Sequence, residues 1–252
     1  MFGLEIWQVA LAAGFTLFAG FVKGAVGFAM PMIMLSSFGS FLPAELALAL
    51  LIVPTLITNL AQAFRQGVGA AWASVMKYRL FIAMIVIFIP ISAGFVRDIP
   101  QPLMFAMLGL PIVAFAAFQL SGRPMMLPIH HRRRAEIGLG IVGGLYGGIS
   151  GIWGPPLILY LLSIHAEKQE TVRVQGVVFL LGAVVLTVAH IGSGVLNAQT
   201  APASALLVIP AMVGMWLGFR AQDRLDAARF RRWTLILLLL TGLNLIRRAL
   251  VV

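Results

Sequence analysis

The sequence predicts an all-α polytopic membrane protein built as two inverted repeats, each a broken re-entrant hairpin plus three transmembrane helices, with seven to eight spans by hydropathy. Composition, an internal duplication and the distribution of charge predict it. Of 252 residues, 61% are hydrophobic and only 10% charged, and the mean hydropathy is +1.01. Such a chain has too much apolar surface for a soluble domain. Long apolar runs with short connections, and no ten-residue stretches of alternating polarity, favour a helical bundle over a barrel. No soluble domain remains once the spans are assigned.

The duplication centres on the stretch from Gly143 to Ile158, where six glycines and two prolines interrupt an apolar segment. An earlier stretch, Gly20 to Ile33, aligns with it at a constant offset of 124 residues: Gly20 on Gly144, Gly24 on Gly148, Gly27 on Gly151 and Pro31 on Pro155. Internal repeats of this kind mark secondary transporters. Glu45 and Glu170, and then Arg65 and His190, follow the two motifs at an offset of 125, so the repeat extends beyond the glycines.

Taken in order, the first apolar block from Ile6 to Leu42 is too long for one span and divides at Lys23 to Met30. A helix from Ala44 to Phe64 carries Thr55, Thr58, Asn59 and Gln62 at helical spacing, on one face. A basic loop, Arg65 to Arg79, leads to helices from Leu80 to Val96 and from Pro102 to Leu120. A basic linker rich in His and Arg then separates the halves, dividing the chain into a first repeat (1–121), a linker (122–135) and a second repeat (136–252). The second repeat holds a broken segment, Ile137 to Ile164, and helices from Thr171 to His190, Pro202 to Phe219 and Trp233 to Leu250.

Charge decides the orientation. The formal net charge of +10 comes from loop arginines, and the aromatic residues lie within apolar runs, so it is a topology signal and not a nucleic-acid footprint. If both broken segments cross the bilayer, the basic residues outside the membrane divide nine against eight. If each segment enters and leaves by one side, they divide fourteen against three, with only Arg97, Arg247 and Arg248 on the sparse side. The positive-inside rule favours the second arrangement, in which the repeats are inverted and both termini lie outside. The segment from Glu136 to Tyr146 then brings each tip near the midplane, at roughly 16 Å of helix. The first residues, Met1 to Glu5, show no positive n-region, so the first apolar segment is expected to stay in the mature protein.

The breaks carry the chemistry. Glycine-rich residues ending in Pro31 and in Pro155-Pro156 read as an unwound stretch followed by a new helix start, because Pro fits a first helical turn. Each start aims unpaired N–H groups and a partial positive charge at the midplane, which suits an anion. The expected binding residues are Gly24, Gly27, Ala29, Met30 and Pro31 at the first break, and Gly147, Gly148, Gly151, Trp153, Gly154 and Pro155 at the second. Lys23 would supply charge, since no acidic residue lies in the core of a span, and Thr55, Asn59 and Ser150 could donate further hydrogen bonds. His190 is expected to be interfacial, near the outer end of its helix. There is no cysteine, which excludes disulfides and thiolate chemistry; no cofactor or metal is suggested. The expected partners are a small anion and the lipid bilayer, with no nucleic acid, and a homodimer is left open.

On these residues the chain resembles the TauE/SafE family of sulfite-exporter-like anion transporters over nearly its whole length. The resemblance implies transport of a sulfur oxyanion or organosulfonate, such as sulfite or sulfoacetate, across a bacterial inner membrane by a multi-pass protein, and no enzymatic activity. Lys23 departs from the pattern, standing where the second motif has Gly147. Two rivals are an anion channel of the same fold and a rhomboid-like intramembrane serine protease. The latter would use Ser150, within Gly148-Ile149-Ser150-Gly151, and His190, but the first motif has Val26 in the serine's place.

Overall fold

The computed structural model describes residues 5–65, 67–123, 126–221 and 226–251. Met1 to Leu4, on which the reading of the N-terminus rests, lie outside these, as does Arg224 of the charge count. Twelve α-helices are present among the described residues, with no strand. Seven helical stretches are long and apolar enough to cross a membrane: Ile6–Val26, Ala44–Ala63, Arg79–Asp98, Gln101–Leu120, Arg173–Gly192, Thr200–Ala221 and Ala228–Val251. The protein is thus a helical, multi-pass membrane protein.

The first broken segment consists of α1 (Ile6–Val26) and α2 (Met30–Phe38), followed by α3 (Ala44–Ala63), α4 (Val68–Lys77), α5 (Arg79–Ala93) and α6 (Gln101–Leu120). The second consists of α7 (Arg132–Ser150) and α8 (Gly154–Ser163), followed by α9 (Lys168–Gly192), α10 (Thr200–Leu206), α11 (Val208–Ala221) and α12 (Ala227–Val251). Several boundaries differ from the sequence reading for identifiable reasons. Residues read as a basic loop form α4, whose buried side, Ala71 and Ser74, is small. Arg132 to Arg134, read as linker, are the first turn of α7. The helix expected from Pro202 to Phe219 breaks at Leu207, because Pro210 has no N–H to offer the Leu206 carbonyl. The last helix begins at Ala227 instead of Trp233. Asp226 Oδ1 accepts the N–H groups of Ala228 and Arg229, both at 3.1 Å, and so caps it.

The helices group into two compact units. One comprises Met1–Thr55, Arg97–Arg123 and Val195–Val252; the other comprises Leu56–Val96 and Pro124–Gly194. Each draws helices from both halves of the sequence. In the first unit α1 packs on α11 and α6 on α12; in the second α7 packs on α5.

Glycine sets how closely these pairs approach. A Cβ on Gly24 would stand 2.2 Å from the Met215 carbonyl oxygen, and one on Gly214 would stand 2.0 Å from that of Leu17. On α7, a Cβ on Gly144 would meet Phe88 Cβ at 2.7 Å, and one on Gly148 would meet Ser92 Oγ at 2.1 Å. Such contact brings backbones together where lipid supplies no hydrophobic drive for helix association.

Both broken segments double back. In the first unit Phe41, just past α2, lies with its ring 6.0 Å from Trp7 and 6.4 Å from Phe15, both on α1. In the second, Tyr160 of α8 donates to Glu136 Oε2 on α7 at 3.2 Å, and Arg132 Nε donates to Tyr160 Oη at 3.3 Å. The returning helices are short, nine residues in α2 and ten in α8, or roughly 14–15 Å. Arg248 of α12 closes the end of α2 by donating to the carbonyls of Gly39 and Leu42.

Pro54 lies within α3 and leaves the Leu50 carbonyl without its helical donor. Ser204 of α10 replaces that donor, its Oγ donating to Leu50 O at 3.1 Å and accepting from Val53 N at 3.2 Å. Ser204→Ala removes both bonds and takes from the buried Leu50 carbonyl the donor that replaces Pro54. It is expected to cost about 1–2 kcal/mol, read as a lower midpoint of thermal unfolding in detergent with Ser204→Thr as the conservative comparison.

Candidate functional site: the two helix breaks

Only three residues are unwound at each break, Gly27 to Ala29 in the first unit and Gly151 to Trp153 in the second. The glycine-rich runs before them are helical, which corrects the expectation of long unwound stretches. Helix–helix packing outweighs the poor helix propensity of glycine there. The two turns share one geometry. Gly27 (φ 86°) and Gly151 (φ 69°) both adopt the left-handed conformation, and their N–H groups donate to Lys23 O and Gly147 O, each at 2.7 Å. This is a helix C-terminus closed by a left-handed glycine, used twice.

At the first break Ala29 is also left-handed (φ 77°), a conformation that costs a non-glycine residue about 1–2 kcal/mol. It caps α2, with Met30 and Pro31 opening the helix. Lys23 is not within the unwound turn. It lies in the last turn of α1, buried at 2% exposure. Gly24, beside it, faces α11, where it has no room for a side chain.

At the second break Trp153 caps α8, and Pro155 and Pro156 occupy its first turn. Neither proline has an N–H, so the donors at this helix start are those of Trp153 and Gly154, which have no acceptor among the described residues. The Trp153 side chain is 2% exposed, and its Nε1 is buried without a hydrogen-bond partner. Small neighbours make room for the indole: it fills the space beside Gly147 of α7 and Gly182 of α9, where added Cβ atoms would approach it to 2.9 and 2.7 Å, and its ring meets Phe179 edge-on at 6.4 Å. A buried indole N–H usually has an acceptor. Three donors without acceptors therefore lie at the opening of α8, on one residue and its neighbour.

Ser150 and His190 are both fully buried, but they are not paired with each other. Ser150 Oγ donates to Tyr146 O at 2.7 Å and accepts from Ile152 N at 3.0 Å, which uses its proton inside the turn. His190, expected at an interface, instead reaches the end of α7. Its Nε2 donates to Gly148 O at 2.8 Å, while Nδ1 accepts from Ser193 Oγ at 3.2 Å. A carbonyl can only accept, so Nε2 carries the proton. The pairing required of a serine nucleophile and its base is absent from this arrangement.

Thr55, Thr58, Asn59 and Gln62 are buried, as one face of α3. Thr55 closes the first unit's stretch of the chain, while Asn59 belongs to the second unit, where its Nδ2 donates to Phe179 O at 2.9 Å, next to the Trp153 ring. Two residues important to the second break were not legible in the sequence: the Trp153 indole as an unsatisfied donor, and His190 as a cap on α7. No local pattern announces a contact across 42 residues.

Neither a curated protein nor a solved structure matches this chain. A family model described as "Sulfite exporter TauE/SafE" matches residues 11–245, a range that takes in both helix breaks and all seven apolar spans but the ends of the first and last. Doubled-back, glycine-closed breaks in a multi-pass helical chain and that near-complete match lead to one conclusion: the chain belongs to the TauE/SafE sulfite exporter family, a family of membrane transporters.

Proposed function

We propose that this protein carries a small sulfur oxyanion or organosulfonate, such as sulfite or sulfoacetate, across a bacterial inner membrane, and that the α8 start is a contact point for the anion. The observation that carries this is the Trp153 indole N–H, buried without an acceptor beside the free N–H groups of Trp153 and Gly154. A helix N-terminus adds a partial positive charge, so an oxyanion would satisfy donors that are otherwise costly to bury. At the first break, Lys23 supplies charge from the last turn of α1, ahead of the opening of α2 at Ala29 to Pro31. Gly24 and Gly148 serve by letting helices approach, and Ser150 by holding the turn.

Counterflow of sulfite and of sulfoacetate in proteoliposomes tests this, with Trp153→Phe and Lys23→Ala beside the intact protein. Saturable exchange is expected in the intact protein. Trp153→Phe is expected to weaken the apparent affinity on the order of 10-fold, the worth of a hydrogen bond to a charged group, while the protein stays folded. Full exchange in Trp153→Phe would remove the indole from the site. Passive flux without counterflow would mean a channel.

A further inference from the structure

The end of the second unit formed by α4, the start of α5 and the start of α7 holds a second, unrelated feature. A cavity of about 290 Å³ is lined by Lys77, Arg79, Arg132 and Arg133 together with Met76, Leu80 and Glu136. The charges do not cancel. Glu136 is buried and already accepts from Phe81 N at 3.2 Å and Tyr160 Oη at 3.2 Å. Lys77 is matched by Glu170 at 2.5 Å, whose carboxyl this hydrogen bond holds below the usual carboxylate range. Arg132 donates to Tyr160. Arg79 and Arg133 are exposed and have no ion-pair or hydrogen-bond partner among the described residues. Four cations thus line a cavity against a single lining carboxylate, Glu136, and leave an excess of positive charge there.

An apolar stripe runs up to this cavity. On α4, Val68, Trp72 and Met76 are 69%, 64% and 49% exposed, and their spacing of four puts them on one side, away from the buried Ser74. Met76 belongs both to the stripe and to the cavity wall. A short helix with an exposed tryptophan stripe and cations at its end suits the boundary between acyl chains and headgroups. Side-chain bonds tie it down, with Arg173 Nε donating to Ser74 Oγ at 2.9 Å.

We propose that α4 and this cavity form a binding site for an anionic phospholipid, with the phosphodiester headgroup against Arg79 and Arg133 and an acyl chain along Val68, Trp72 and Met76. Charge complementarity identifies the headgroup, and the continuous apolar stripe identifies the ligand as lipid in preference to a free anion.

The test uses the whole protein in a neutral detergent, with thermal midpoint followed as phosphatidylglycerol, phosphatidylcholine or inorganic phosphate is titrated in. Phosphatidylglycerol is expected to raise the midpoint saturably and phosphatidylcholine much less, with inorganic phosphate giving no comparable shift. Arg79→Gln/Arg133→Gln is expected to weaken the phosphatidylglycerol response on the order of 20-fold, whereas Arg79→Lys/Arg133→Lys retains most of it. Midpoints in phosphatidylcholine report whether each variant is folded, and the single glutamine variants serve if the double one is not. Three results overturn the proposal: an equal response to both lipids, an equal response to inorganic phosphate, or a glutamine variant that keeps the full preference.

Discussion

Gly148→Ala is expected to leave little folded protein. The added methyl would sit 2.1 Å from Ser92 Oγ, 2.4 Å from Ile89 O and 2.9 Å from Ala93 N, and two of those three atoms are backbone. Ser92 could rotate away, but the carbonyl of Ile89 could not move without separating α5 from α7. Overpacking a close-packed site costs about 1–3 kcal/mol when neighbours can adjust and more when they cannot. The same pair of helices carries the approach to the second break, so damage here also displaces Gly151 and Trp153. The comparison that isolates the cause is Gly138→Ala, on the same helix, where nothing lies within 4 Å of the new methyl. That substitution is expected to be neutral or to stabilise by up to about 1 kcal/mol, through better helix propensity. Size-exclusion profile and thermal midpoint of the two variants in one detergent check the contrast. Equal behaviour would mean that the α5–α7 contact is looser than its geometry.

His190→Ala is expected to cost about 3 kcal/mol, lowering the midpoint by roughly 6–12 °C for a chain of this size. Two effects combine. The fully buried ring leaves a cavity, and the Gly148 carbonyl loses its donor. That carbonyl lies in the last turn of α7 and has no substitute: its next helical donor, Ile152 N, is already bonded to Ser150 Oγ. His190→Gln, which can offer an amide N–H, is expected to recover part of the loss. His190→Leu fills the cavity but not the bond, so the difference between the two variants separates packing from hydrogen bonding. A histidine acting as a catalytic base would give another pattern, with the fold intact and only an activity lost.

The glycines show where the sequence was legible and where it was not. Their repetition at one offset located both breaks, and Pro31 and Pro155 marked the helix starts, because backbone permissiveness and a missing N–H are properties of single residues. Spacing could not separate glycines that let the chain turn from glycines that let another helix approach. Gly27 and Gly151 turn the chain with positive φ, while Gly20, Gly24, Gly144 and Gly148 remain helical against α11 or α5. The polar face of α3 was readable from periodicity, but the bond from Asn59 to Phe179 was not. The cap that Asp226 places on the last helix was missed, and the start of that helix was set at Trp233 instead of Ala227.

Composition and local pattern by themselves determined that this is a membrane-embedded helical protein, that a glycine–proline motif recurs in it, and that its helices are interrupted where that motif stands. These follow from hydropathy and from the backbone preferences of glycine and proline, which act within a few residues. Only the tertiary structure decided that α1 pairs with α11 and α7 with α5, so that each compact unit mixes the two halves. It alone left the Trp153 indole N–H without an acceptor and set His190 on the end of α7. Those outcomes depend on which surfaces fit at backbone contact distance across tens to hundreds of residues, and the satisfaction of a buried donor is defined only once its neighbours are in place.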